Sequence, residues 1–405
     1  MIDKNKLMIQ FKKMKLTDFK ALIILMITYI PGRIYKIICK DVWIITEYEF
    51  SARDNGYWLF KYIRENFPHQ KVYYPISSMS PDYFKVKTLG NNIKFGGVFH
   101  YILFWGCNKF IGTTKYYGFP YGRICEDLVQ WNIHKFKNIF LNHGFARGYS
   151  SIVDARETNY NLIFAMSPIE KEIMINENYQ DENKIICAGF CRHDNLDSSI
   201  LDKKTILIMP TWRKWLDFRL ETDIDIIDVI TKRFLDSFYY KKFFSILNNQ
   251  RLIEFLENNN YNLIFYLHDY AQCFSKYFSS SSKKICIASK AEYDIQSLLK
   301  QSALLITDYS SVSYDFAYMY KPLLYYQFDL NDFEEKQYAQ GNKFTYRDNA
   351  FGEIIESEEI LIDRIIYYCQ HQNVMPNFYK KRVDNFFLYH DKRNCERVYN
   401  AIKKL

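Results

Sequence analysis

ALLITDYSSVSYDFAYMYKPLLYYQF, residues 303–328, decides the fold class. A short apolar run (303–307) enters a polar turn, Asp308-Tyr309-Ser310-Ser311. VSYDFAYMY then reads as a helix, closed by Lys321-Pro322, and LLYYQF (323–328) is a second apolar run. Strand, turn, helix and strand in this order are the unit of a parallel α/β sheet.

The same unit recurs in both directions. TILIM (205–209), NLIFYL (262–267) and KICIA (284–288) read as strands, with a helical stretch over 293–301. Upstream, VWIIT (42–46), KVYYPI (71–76), KFIGTT (109–114), NIFLNH (138–143), NLIFAM (161–166) and KIICAG (184–189) read the same way. Helices are expected from Tyr57 to Asn66 and after Ser167-Pro168, where Ser supplies an N-cap and Pro the first helical residue. DNLDSSILDKK (194–204) is polar and turn-rich, and reads as a linker. The reading is therefore α/β throughout: a basic amphipathic segment at 1–40, a Rossmann-like domain at 41–195, a second at 203–376 and a helical segment at 377–405. The two Rossmann-like domains are expected to face each other across a cleft.

Charge and cysteine content narrow the class. The net charge is +8, yet residues 1–40 alone hold nine Lys and Arg against Asp3 and Asp18. The rest of the chain is nearly neutral, which argues against nucleic acid as a partner. Nine cysteines at irregular spacing imply no disulfide framework and suit a reducing cytoplasm. The lone C-x3-C of Cys187 and Cys191 has no second pair, so no metal site is expected.

Within the basic segment lies ALIILMITYI (21–30), ended by Pro31-Gly32. Ten apolar-rich residues are too few to span a bilayer, and no small-residue cleavage site follows. Two readings remain. One is a membrane-associating helix in an anionic interface, with Lys12, Lys13, Lys15 and Lys20 near headgroups. The other is a helix packed on the protein's own body.

In open α/β sheets, ligands bind off the carboxyl ends of the strands. His143-Gly144 stands at one such end, Thr211-Trp212-Arg213 at another, and His268-Asp269 at a third. Asp308-Tyr309-Ser310-Ser311 follows a fourth, and Glu47, then Asp54-Asn55, follow the first strand. The Ser-rich turn before a helix is either an anion site or simple capping by Ser310 or Ser311. Arg213 has a planar fork suited to phosphate, or to a salt bridge. His143 and His268 are general-base candidates or satisfied core histidines, with Gly144 giving the first a tight turn. Glu47, Asp54 and Asn55 are candidates for the acceptor side. No G-x-G-x-x-G, Walker loop, H-E-x-x-H or G-x-S-x-G is present.

These stretches resemble the CDP-glycerol glycerophosphotransferases, which include teichoic-acid polymerases and related capsule enzymes. The matching runs are ARDNGYWLFKYI (52–63), FLNHG (140–144), AGFCRHDNL (188–196), ILIMPTWRKWL (206–216), 306–329, FGEII (351–355) and RVDNFFLYHDKRNCERVYNAI (382–402). Asn142 replaces the Trp or Gln that often precedes HG, and Asp269 replaces a common Pro. The resemblance implies a GT-B-like fold, no cofactor and a CDP-glycerol or CDP-ribitol donor. It implies a polymer or lipid-linked acceptor and a peripheral place on the cytoplasmic face of the membrane. His143 would be the base, and His268 and Arg213 would hold donor phosphates. Thr211, Ser310 and Ser311 would bind the pyrophosphate, with Asp308 shaping the turn. A nucleotide-sugar glycosyltransferase on the same fold and a non-catalytic membrane scaffold are the competing readings.

Overall fold

The computed structural model describes residues 15–115, 117–197, 202–217, 224–337 and 344–405. Lys12 and Lys13, and positions 198–201 of the expected linker, lie outside the described residues.

The chain forms two compact units. Unit 1 holds the residues up to Asp194 together with Leu388–Leu405; unit 2 is Asn195–Phe387. Unit 1 is built on seven strands: β1 (Trp43–Thr46), β2 (Val72–Ile76), β3 (Asn92–Lys94), β4 (Lys109–Gly112), β5 (Lys137–Phe140), β6 (Leu162–Ala165) and β7 (Ile185–Cys187). Their order is β3-β2-β1-β4-β5-β6-β7, all parallel. Unit 2 repeats the plan with β8 (Thr205–Ile208), β9 (Asn262–Tyr266), β10 (Ile285–Ala288), β11 (Leu304–Thr307), β12 (Leu323–Tyr326) and β13 (Glu353–Ile355). Its order is β10-β9-β8-β11-β12-β13, again parallel.

Both orders are doubly wound, and each reverses beside its first strand: between β1 and β4, and between β8 and β11. Loops that leave those strand ends diverge, and the crevice they leave is where such folds bind ligands. Strands β1, β4, β6, β8, β11 and β12 are buried along their whole length. That two-sided burial is why they read as unbroken apolar runs rather than alternating ones. The expected strands are found within one to three residues at each end, and Ser167 caps its helix by accepting from the Glu170 amide at 3.3 Å. Strands β3 and β13 were not expected as strands. Each is a three-residue edge strand, too short to carry a periodic pattern.

Residues 377–405 are not one segment. The helix Asn377–Phe386 belongs to unit 2, whereas the helix Asn394–Lys404 returns to unit 1 and packs on the helix Asn55–Asn66. Asp194 anchors the return by accepting from the Asn394 and Cys395 amides at 2.9 and 2.8 Å. Gly189, at φ +78°, gives Asn394 room that any side chain would fill.

The N-terminal helix also departs from the sequence reading. It runs Leu16–Ile38, 23 residues, straight through Pro31 and Gly32. Its length and mean hydropathy of 1.6 are sufficient to cross a membrane, although ten residues had suggested otherwise. Proline and glycine are tolerated because tertiary contacts replace what they weaken. Ala21, Leu25, Thr28 and Gly32 form a buried stripe at helical spacing against the helix Val98–Gly106. Trp105 donates to the Leu25 carbonyl at 3.0 Å, and Lys36 to the Cys107 carbonyl at 2.9 Å. Asp18 accepts from Tyr121 at 2.6 Å and pairs with Arg123. The opposite face is open: Ile23, Met26, Ile27, Ile30, Ile34, Ile37 and Ile38 are each more than half exposed. One face of this segment is therefore packed on the body, as the second reading expected, and the opposite face is exposed among the described residues.

A Cβ at position 32 would lie 2.5 Å from the Trp105 Cβ and 2.7 Å from the Ile102 carbonyl oxygen. Gly32→Ala is expected to destabilise unit 1 by about 1–3 kcal/mol in denaturant titration. Ile27→Ala, on the open face, should leave stability nearly unchanged.

Candidate active site

In unit 2 the ends of β8, β9 and β11 gather the expected residues. Asp308, fully buried, organises two of the loops: its Oδ1 accepts from the Thr211 amide at 2.8 Å and the Tyr309 amide at 2.6 Å. Thr307 on β11 also donates to the Met209 carbonyl at 2.7 Å, tying the same strand ends. The Thr211 hydroxyl is buried with no hydrogen-bond partner, which marks a group waiting for one. Ser310 and Ser311 are half-buried at the start of a seven-residue helix. Ser311 makes no side-chain cap bond, and Ser310 accepts only a long bond, 3.4 Å, from the Val312 amide. Simple capping thus does not account for the pair. His268, at the end of β9, is half-buried and its Nδ1 accepts from the Tyr270 amide at 3.2 Å. In its neutral form that ring carries its proton on Nε2, which suits donation to an anion rather than base chemistry. Trp212 lies beside it, with ring centroids 6.3 Å apart.

Arg213 is placed differently from expectation. Its side chain is fully buried, ion-paired to Asp308 at 2.9 Å and bound through two nitrogens to Asp329 at 2.8 and 3.0 Å. It also donates to the Thr211 carbonyl at 2.7 Å, and the rings of Tyr239, Tyr309 and Phe333 surround its guanidinium at about 5 Å. The fork has no surface left for a phosphate. Gln337 completes the loop, accepting from the Lys214 amide and donating to the Trp212 carbonyl.

In unit 1, β5 ends in Leu141, Asn142 and His143. The left-handed residue of this turn is Asn142 (φ +61°), not Gly144, which keeps a negative φ. Asn tolerates this conformation and uses its side chain to fix it. Asn142 Oδ1 accepts from the His143 amide at 2.8 Å, and its Nδ2 donates to Glu170 at 3.0 Å. His143 is exposed, its Nδ1 3.1 Å from the Thr113 carbonyl oxygen at the end of β4. A carbonyl can only accept, so Nδ1 bears the hydrogen and Nε2 keeps a lone pair in the neutral ring.

Glu47, Asp54 and Asn55 do not present themselves to an acceptor. Glu47 is buried and accepts from the Arg53, Asp54 and Tyr57 amides at 2.8, 3.0 and 2.6 Å. Burial, with Asp54 nearby, pushes its carboxyl up to about 8 against the pull of those amides. Asn55, also fully buried, donates to the Asn142 carbonyl at 2.8 Å and accepts from the Arg192 amide at 3.1 Å. Asp54 accepts from the Arg192 guanidinium at 2.6 Å, and that same Arg192 nitrogen donates to the His143 carbonyl at 2.9 Å. The three residues brace the histidine turn from behind. Arg192 and Glu170 were missed as members of this network; Arg192 lies inside AGFCRHDNL, while nothing in the sequence around Glu170 marks it.

Comparison with known proteins decides the family. The pattern of CDP-glycerol:poly(glycerophosphate) glycerophosphotransferases matches residues 37–404. The chain belongs to this family. It is 34% identical over 372 residues to the minor teichoic acid biosynthesis protein GgaB of Bacillus subtilis strain 168, covering 90% of this chain and 40% of that protein. It is 24% identical to the teichoic acid poly(glycerol phosphate) polymerase of the same strain, over 85% of this chain and 46% of that one. The chain thus spans less than half the length of these relatives. Among solved structures, the wall teichoic acid polymerase TagF superposes with a TM-score of 0.63, covering 96% of this chain and 98% of that one at 16% identity. That likeness is one of fold.

Within this glycerophosphotransferase family member, the motif residues divide by burial. The Thr211 hydroxyl is left without a hydrogen-bond partner and Ser311 makes no cap bond, whereas Tyr309 donates to Asp329 at 3.2 Å and Lys321 of the same motif is buried, donating to the Leu299, Lys300 and Ser302 carbonyls that end a helix. Arg213, too, belongs to the frame. Arg213→Ala leaves two buried aspartates unpaired, a defect that costs about 3–5 kcal/mol. The expected result is a marked loss of unit 2 stability in denaturant titration, with Asp329→Asn acting in the same direction. A phosphate clamp would instead lose donor affinity with stability intact.

Proposed function

We propose that the chain transfers a polyol phosphate from a CDP-activated donor to a hydroxyl of a growing teichoic-acid-like polymer and releases CMP. Family membership supports the class of reaction, and the observation that carries the chemistry is the His143 ring. Its Nδ1 is committed to the Thr113 carbonyl, so Nε2 is the one ring nitrogen left to accept a proton. An acceptor hydroxyl loses its proton to Nε2 as its oxygen attacks the β-phosphorus. The bond from that phosphorus to the oxygen bridging to CMP breaks, and CMP leaves with the negative charge.

Phosphoryl transfer asks little covalent work of a protein, so placement and charge stabilisation dominate. On unit 2 the hydroxyls of Thr211, Ser310 and Ser311 and the Nε2–H of His268 are the donors offered to the diphosphate. Asp308 and Arg213 act indirectly, by holding the loops after β8 and β11 that carry Thr211, Ser310 and Ser311. CDP-glycerol is the expected donor, because the matched family is defined by it. Relatives named for ribitol phosphate also match part of the chain, so CDP-ribitol is the alternative donor to compare.

The enzyme is proposed to work at the cytoplasmic membrane face, with the open side of the helix Leu16–Ile38 lying in the interface. A contiguous apolar face this large, flanked by Lys15, Lys20 and Arg33, suits an anionic bilayer surface. A spanning position fits less well, since the other face is packed along the body.

Two measurements test these readings. His143→Ala should lower transfer about 10²- to 10⁴-fold while CDP-glycerol binding by calorimetry stays near wild type. Turnover within a few-fold of wild type, or binding only to UDP-sugars, would refute the proposal. For the membrane, Ile27→Asp with Ile34→Asp should abolish flotation with anionic liposomes without unfolding the protein. Undiminished flotation would place the contact elsewhere.

A further inference from the structure

We infer that Glu170 is a positioning residue for the transfer reaction, fixing through Asn142 and the Ala146 amide the turn that aims His143. The inference rests on the reading of His143 as the base.

Glu170 lies in the first turn of the helix Pro168–Asn176 and is completely buried. Its Oε1 accepts from Asn142 Nδ2 at 3.0 Å and from the Ala146 amide at 2.8 Å. Its Oε2 accepts from the Met166 amide at 2.6 Å. One carboxylate therefore grips the chain on both sides of His143-Gly144 and locks that turn to the end of β6. A buried carboxylate is an expensive way to tie a loop, because burial penalises the anion. Burial pushes this one up to about 7, opposed by the Met166 and Ala146 amides, Asn142 and the charge of Arg192.

What this arrangement yields is a histidine whose other polar groups are all assigned. The amide donates to Asn142, the carbonyl accepts from Arg192, and Nδ1 donates to Thr113. Asn142 is the joint. It sits at φ +61°, where a side-chain hold is most needed, and Glu170 is the partner of its amide nitrogen. Removing that hold leaves the ring in place but lets its direction wander, and misplacement of about 1 Å costs about 100-fold in rate.

The test compares Glu170→Gln, Asn142→Gly and the double variant with His143→Ala. Gly keeps the left-handed backbone of position 142 and removes only the side-chain bonds. Glu170→Gln and Asn142→Gly are each expected to lower kcat about 10- to 100-fold. KM for donor and acceptor should stay within about two-fold, and the double variant should be no worse than the poorer single one, as for residues in one network. A kcat within about three-fold of wild type in both single variants, a loss carried by KM, or additive losses would overturn the inference. If Glu170→Gln does not fold, Asn142→Gly alone decides by the same kcat criterion. His143→Ala separates the two readings. An inactive His143→Ala beside a fully active Glu170→Gln removes only the positioning role, whereas an active His143→Ala removes the base and the positioning role with it.

Discussion

A backbone carbonyl accepts hydrogen bonds and never donates, and the carbonyl of Thr113 faces Nδ1 of His143 at 3.1 Å. That single contact fixes which ring nitrogen is open to chemistry. It holds because β4 and β5 are neighbours in a parallel sheet, so their carboxyl ends release Thr113 and His143 side by side. The remaining members of unit 1's site serve this geometry. Arg192 reaches from the 3-10 turn after β7, Asn55 from the helix after β1, and Glu170 from the helix after β6. A turn of one glycine and one histidine is thus determined by four separate elements of the sheet.

Unit 2 solves a related problem with charge. Its loops after β8 and β11 are joined at the point where the strand order reverses, by Asp308 taking the amides of Thr211 and Tyr309 and by the Arg213–Asp308 ion pair, while Arg213 also reaches Asp329 after β12. Burying three charges is tolerable only because the guanidinium satisfies both carboxylates and one carbonyl in a cage of aromatic rings. The outcome is a rigid floor beneath the Thr211 hydroxyl, which has no hydrogen-bond partner among the described residues. The charged side chains of this frame are buried.

Much of this was legible in the sequence, and what was missed shares a cause. Unbroken apolar runs marked the buried strands, and polar residues just past them marked their carboxyl ends, where open α/β sheets bind ligands. The three-residue edge strands β3 and β13 gave no period to read, whereas β7, equally short, was read from its apolar run. Pro31 suggested a stop, but packing of Gly32 on Trp105 carried the helix past it. Gly144 suggested a tight turn, and the left-handed residue of that turn is Asn142. Arg213, Glu47 and Asn55 were read as facing a ligand and instead lie buried in the frame of their units, because a motif does not show which way its side chains face. Glu170 had no local signature at all: its bonds reach back to Asn142, 28 positions earlier, and only the fold brings them together.

The most direct test of this chemistry is the tautomer of His143 itself. Nitrogen NMR of the histidine-labelled chain in alkaline buffer, with the His143 signals assigned by their loss in His143→Ala, reports which ring nitrogen carries the proton. Protonation at Nδ1, with Nε2 bare, is the expected result and leaves the base where an acceptor can reach it. A ring protonated at Nε2 would contradict the assignment of His143 as the base.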